Sequence, residues 1–189
     1  VEGVKALLVP STGIIDYKEV ASKYKDIIER NGGKIVFSNL VSDIKQNDNY
    51  IEIITQKSLY KCKKLITCCG LHSDTVAKIT NKDVDLQIIP FRGEYYTLVE
   101  DKKKLINNLI YPVPDPAFPF LGVHFTRMID GKVEAGPNAV LAFKKEGYKK
   151  SDFSLKDVFN IFAWKGFRKV IYKYWYKGLA EFYRSFSKK

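Results

Sequence analysis

A histidine and an arginine lie three residues apart, at His124 and Arg127. Histidine can take a proton near neutral pH, and an arginine fork can hold a carboxylate through two parallel hydrogen bonds. Proton transfer on a carboxylate-bearing molecule needs both capacities. On a strand, His124 and Thr126 share one face and Arg127 points to the other. Both would then line one pocket only at a bulge or a strand end. Tyr96 and Tyr111 carry phenols that can donate to a carboxylate, although core packing is the commoner fate of a tyrosine. Asn138 follows Gly136-Pro137, in a predicted loop that could reach a bound molecule. Arg92, beside Gly93 and Glu94, fits a surface or interface ion pair as well as it fits an anion.

His72-Ser73-Asp74 has the letters of a hydrolase triad, but a triad is a spatial arrangement rather than a tripeptide. Helix capping by Ser73 or Asp74 is the better reading. The two histidines are far apart and have no clustered acids near them, so no metal site is expected. The cysteines, Cys62, Cys68 and Cys69, suit neither a disulfide framework nor zinc. They point to a reducing cytoplasm.

Several elements must position these residues. Val4 to Val9 reads as a short strand. Asp16 is a predicted N-cap, with Glu19 as its capping-box partner. Val20, Tyr24, Ile27 and Ile28 give one apolar helical face, and Asn31-Gly32-Gly33 ends that helix. Leu40 to Lys45 and Tyr50 to Thr55 flank a turn and predict a hairpin, with a further strand over Ser58 to Lys61. Lys64 to Cys69 reads as a buried strand ending at Gly70, and a helix runs on to about Ile79. Gln87 to Val99, Leu109 to Val113, Phe120 to Arg127 and Lys132 to Ala135 read as strands of an antiparallel or mixed sheet. Asp130-Gly131 signals a hairpin turn there. Helices follow from Ser154, with Gly166 as the expected break.

The chain has 189 residues, 46% of them hydrophobic, which suits one domain or pieces of two and argues against disorder. Its formal charge is +11, and the excess sits at one end. From Lys144 to Lys189, eleven lysines and two arginines face four acids, a net of +9. Lys165, Lys169, Lys173 and Lys177 recur every four residues and so form one helical stripe, with aromatics between them. Such an end suits an anionic surface, and equally a solvated helix face.

Three stretches carry a resemblance. The first is Thr12-Gly13-Ile14-Ile15-Asp16-Tyr17. The second is Cys69-Gly70-Leu71-His72-Ser73-Asp74, followed by Pro90-Phe91-Arg92-Gly93-Glu94-Tyr95-Tyr96. The third joins Tyr111-Pro112-Val113-Pro114-Asp115-Pro116, the run Phe118 to Arg127, and Gly136-Pro137-Asn138-Ala139-Val140. Together they resemble the L-2-hydroxyglutarate oxidases and dehydrogenases, of the D-amino-acid-oxidase-like flavoproteins, over nearly the whole chain.

The resemblance implies a mixed α+β fold. A partial Rossmann-like FAD-binding domain would occupy residues 14–79. A mixed or antiparallel-sheet substrate domain would occupy 1–13 and 80–143, and a basic, aromatic-rich helical segment 144–189. It implies FAD as cofactor, with Val41, Cys69, Gly70, Leu71 and His72 near it. It implies oxidation of L-2-hydroxyglutarate to 2-oxoglutarate, by hydride transfer to the flavin. His124 would then take the hydroxyl proton, and Arg127, Arg92, Tyr96, Tyr111 and Asn138 would meet the dicarboxylate.

Two departures stand beside it. No Gly-x-Gly-x-x-Gly turn occurs in this sequence to receive a pyrophosphate, and the family's later flavin-contacting segment is missing. An internal piece of such an enzyme is expected. Two alternatives stay open: an inactive binding module, or an FAD amine or amino-acid oxidase. The basic helices suggest peripheral contact with a membrane from the cytoplasm. With no recognised nucleic-acid motif, nucleic acid is not an expected partner.

Overall fold

The computed structural model describes residues 3–114 and 122–187. Asp115, Pro116 and the run Phe118 to Leu121, part of the third resembling stretch, lie outside the described residues. The fold is mixed α+β. Its elements are α1 (Tyr17–Arg30), β1 (Val41–Gln46), β2 (Ile51–Thr55), β3 (Leu59–Cys62), α2 (Ser73–Thr80), β4 (Phe91–Thr97), β5 (His124–Arg127), β6 (Val133–Leu141), α3 (Leu155–Ala163) and α4 (Lys165–Phe186). Short 3-10 turns cover Gly70–His72 and Glu100–Leu105. The strands form two three-stranded sheets, ordered β1-β2-β3 and β4-β6-β5.

The chain separates into two compact units. One holds residues 1–35 and 95–136, the other 36–94 and 137–189.

In the first unit, Asp16 caps α1 as its sequence predicts. Its Oδ1 accepts from the Lys18 N–H at 2.8 Å, satisfying a donor that the first turn would otherwise leave unpaired. The helix ends where Gly32 takes φ +80°, a conformation with little cost for glycine. The β5–β6 hairpin turns at Asp130-Gly131, with Gly131 also at φ +80°. Asp130 Oδ1 accepts from the Lys132 N–H, and the Met128 N–H donates to the Lys132 carbonyl. Ile106 and Val133 are buried in this unit.

In the second unit, β1 and β2 pair antiparallel across residues 47–50, in register from Gln46↔Ile51 to Val41↔Thr55, with an irregularity between Val41 and Asp43. β3 adds on the far side of β2, from Ile51↔Cys62 to Ile54↔Leu59. Ser154 caps α3 by accepting from the Asp157 N–H at 3.2 Å. The break between α3 and α4 falls at Trp164, two residues before the expected Gly166. Gly166 lies in the first turn of α4, where a Cβ would come within 2.6 Å of Trp164 Nε1. The glycine is there to admit the indole. Ile44, Val140, Ala142, Ile161 and Phe167 are buried, and Phe143 stacks on Phe182 with ring centres 5.9 Å apart.

Two predicted strands are corrected. Val4 to Val9 and Lys64 to Cys69 have no strand structure, and Leu7 and Ile66 are exposed. An apolar run becomes a strand only when a neighbouring ladder takes up its backbone donors and acceptors. No such partner faces these runs among the described residues. Leu109 to Val113 shrinks to one bridge, Ile110↔Phe125.

Candidate functional site

His124 opens β5 and is buried, at 6% exposure. Its Nδ1 lies 3.0 Å from the Gly122 carbonyl oxygen. A carbonyl can only accept, so Nδ1 carries the proton and a neutral ring keeps its lone pair on Nε2. The imidazole stacks on Tyr111, with centroids 4.4 Å apart and planes 21° from parallel. Tyr95 meets it edge-on at 6.2 Å. Gly122 itself packs against Pro112, where an added Cβ would approach the proline ring to 2.8 Å. A bulkier residue would push away the carbonyl that fixes the histidine tautomer.

Strand alternation holds along β5. Thr126 shares the His124 side, and its Oγ1 is 3.5 Å from the Tyr111 phenol oxygen. Arg127 points the other way and donates from Nη1 to the Ile106 carbonyl at 2.9 Å. Tyr96 is half-exposed on β4. Burial, the Glu134 carboxylate and Tyr111 raise the Tyr95 phenol above its ordinary pKa, so it stays a neutral hydrogen-bond donor at pH 7. Tyr95 and Gly122 were not among the residues singled out from sequence. Gly122 carries no side-chain signal, and Tyr95 is marked only by its place beside Tyr96.

The second unit holds the other candidates. Val41 begins β1, half-buried. Cys69 precedes the Gly70–His72 turn, in which Gly70 takes φ +49° with nothing within 4 Å of a built Cβ. Leu71 is half-buried in that turn. The exposed His72 pairs through Nε2 with Glu146 at 2.8 Å. Capping of α2 differs from expectation. His72 occupies the N-cap without a side-chain bond, and the Ser73 hydroxyl donates back to the Gly70 carbonyl.

Asp74 instead is buried in the first turn of α2, at 8% exposure. Its carboxylate accepts from Lys145 Nζ and from the backbone N–H groups of Thr75 and Ile88. Burial pushes its pKa up, but the Lys145 ammonium and these two backbone donors outweigh that and hold it below the ordinary value.

Arg92 donates from Nε and Nη2 to Glu94 Oε1, and from Nη1 to the carbonyls of Gly147 and Lys149. Burial would raise the Glu94 pKa, yet the Ser185 hydroxyl, Arg92 and Lys150 together lower it. Asn138 is not in a loop. β6 runs on through Gly136-Pro137, past the last β5 pairing at His124↔Gly136, and from there buries alternate residues. Asn138 lies on that buried face. Its amide donates to the Glu181 carbonyl at 2.8 Å, and its Oδ1 accepts from Arg184 Nε.

Among these residues, Gly70 is the candidate for close approach of a flavin to the backbone. A left-handed glycine with open space over its Cα lets a cofactor approach the backbone, which a side chain would prevent. The adjoining Cys69, Leu71 and His72 and the first residue of β1 complete the candidates. No group of three or more metal-ligating side chains occurs among the described residues.

The family model for FAD dependent oxidoreductases matches residues 2–184. The chain belongs to that family. It is 52% identical over 188 residues to an L-2-hydroxyglutarate dehydrogenase of Indibacter alkaliphilus, covering 99% of this chain and 47% of that protein. It is 43% identical to the L-2-hydroxyglutarate dehydrogenase of Escherichia coli K12, covering all of this chain and 45% of that protein. The mitochondrial protein of that name from Bos taurus is 37% identical, with 97% and 42% covered. The chain thus spans less than half the length of these relatives.

Proposed function

We propose that this chain supplies the proton-accepting histidine and part of the flavin cradle of an FAD-dependent dehydrogenase that oxidises L-2-hydroxyglutarate to 2-oxoglutarate. One observation carries the chemical part: the Gly122 carbonyl holds His124 in the tautomer whose Nε2 can accept a proton. The relatives' names support the substrate.

FAD, when bound, supplies the acceptor for the hydride leaving the alcohol carbon. Gly70, Cys69, Leu71, His72 and Val41 hold it, chiefly through backbone approach at Gly70. His124 takes the hydroxyl proton at Nε2. Tyr111 keeps the imidazole from rotating, and Tyr96 and Tyr111 hydrogen-bond the dicarboxylate. Arg127 points to the other side of β5 from His124 and donates to the Ile106 carbonyl, so it steadies the strand rather than sharing a pocket with the histidine. Arg92 and Asn138 act through the frame, because their donors are engaged by Glu94, by carbonyls and by α4. The basic face of α4 makes a peripheral contact with an anionic membrane from the cytoplasmic side. No helix among the described residues is long and apolar enough to cross one.

The test grafts this chain into the Indibacter alkaliphilus relative in place of its matching segment. The chimera should reduce a dye acceptor with L-2-hydroxyglutarate and not with sarcosine or glycine. His124→Phe, which keeps the ring stack, should lower kcat about 10²–10⁴-fold, the usual worth of a general base. Undiminished turnover in that variant removes His124 from the mechanism, and turnover of the amines would reassign the substrate. Changing Lys165, Lys169, Lys173 and Lys177 to glutamate should abolish co-sedimentation with phosphatidylserine vesicles; unchanged binding defeats the membrane contact.

A further inference from the structure

Cys69 is placed beside the flavin above, but the thiols of Cys68 and Cys69 take no part in that chemistry. Cys68 is exposed and Cys69 half-buried, and both are free thiols. Cys69 has φ −88° and ψ 7°, outside strand geometry, and no ladder includes residues 63–69. The strict alternation that sends successive strand side chains to opposite faces is therefore not imposed on the pair. Two adjacent thiols do not close readily on each other. Consecutive Cα atoms are about 3.8 Å apart, whereas a relaxed disulfide spans about 4.4–6.8 Å. Inserting one large soft atom between the two sulfurs enlarges the ring and relieves that strain. Thiolates are soft ligands and prefer such centres.

We propose that Cys68 and Cys69 form a two-thiol chelating site for a soft, thiophilic centre of the trivalent-arsenical type, and that its occupancy excludes FAD from the Gly70 turn. The second half rests on the flavin reading given above. The reaction involves no redox change. An arsenoxide and two thiols form two As–S bonds, and the arsenic-bound oxygen leaves as water with both thiol protons. The adduct stands one residue from the glycine whose open Cα face admits the cofactor. Cys62, on β3 and paired with Ile51, is the internal control.

The experiment titrates the whole chain with phenylarsine oxide and reads adduct mass and remaining thiols. One equivalent should remove two of the three thiols, leaving Cys62. Cys68→Ser and Cys69→Ser should each weaken binding about 10²-fold or more, the scale at which a tethered second contact raises avidity. Adduct formation that survives either variant, or that consumes Cys62, overturns the site. Separately, FAD at saturation should slow adduct formation, and the adduct should abolish the flavin titration. Cys68→Ser should bind FAD as before and should lose this sensitivity. Flavin binding that is indifferent to the adduct overturns the exclusion. A chain that gives no flavin titration even before treatment counts against the flavin reading itself, while the thiol count still decides the chelating site.

Discussion

Replacing Asp74 with asparagine tests the buried ion pair that joins the start of α2 to Lys145. The substitution keeps the size of the side chain and one oxygen, so the Ile88 N–H, 3.0 Å away in the native chain, retains an acceptor. It puts an amide where Lys145 Nζ now meets a carboxylate, and leaves that ammonium, at 20% side-chain exposure, without its counter-charge. Breaking a buried pair from one side costs about 3–5 kcal/mol. Because Lys145 reaches some solvent and one acceptor survives, about 2–3 kcal/mol is expected for Asp74→Asn. Urea unfolding at pH 7 measures it. The same reasoning fixes the pH dependence. The folded carboxyl has its pKa below the ordinary value, so it stabilises the fold above that ordinary value and loses this contribution as pH falls through its folded pKa. Asp74→Asn cannot titrate there. Its deficit should be full at neutral pH and shrink below about pH 4. A deficit of the same size at pH 7 and pH 3 would refute the electrostatic account, and so would a deficit at pH 7 within measurement error.

Asn138→Ala removes an amide that ties β6 to α4 at the Glu181 carbonyl and at Arg184. About 1–3 kcal/mol should be lost, seen as a lower thermal midpoint. Asp16→Ala deletes the α1 cap and should cost about 1 kcal/mol, with helical circular dichroism falling before the sheet unfolds.

What could be read from the sequence was local. The Asp16 cap, the left-handed Gly32, the hairpin after Lys45, its turn one residue later than expected, and the Asp130-Gly131 turn each rest on a few adjacent residues, and each is found. What could not be read depended on distant neighbours. Lys64 to Cys69 has a strand's composition, but composition supplies no partner for its backbone. Gly136-Pro137 has the look of a loop, yet β6 passes through it and turns Asn138 toward α4. His124 could be singled out from residue type as a candidate proton acceptor. Its tautomer could not be read, because that depends on the Gly122 carbonyl and on the Tyr111 ring. An ion pair was one of two uses expected of Arg92, but its partner Glu94 and the carbonyls of Gly147 and Lys149 could not be read from the sequence.

The interleaving of the two compact units bears on how the chain is made. Neither unit is one continuous stretch. The first takes residues 1–35 and must wait for 95–136, and the second takes 36–94 and must wait for 137–189. On the ribosome, Glu94 and Asp74 therefore emerge well before Ser185 and Lys145, the groups that later neutralise and cover them. Folding of this polypeptide is governed by long loop closures, which are slow. Half-synthesised chains would present Asp74 and Glu94 without the later groups that pair with them, a window in which chaperones would be needed.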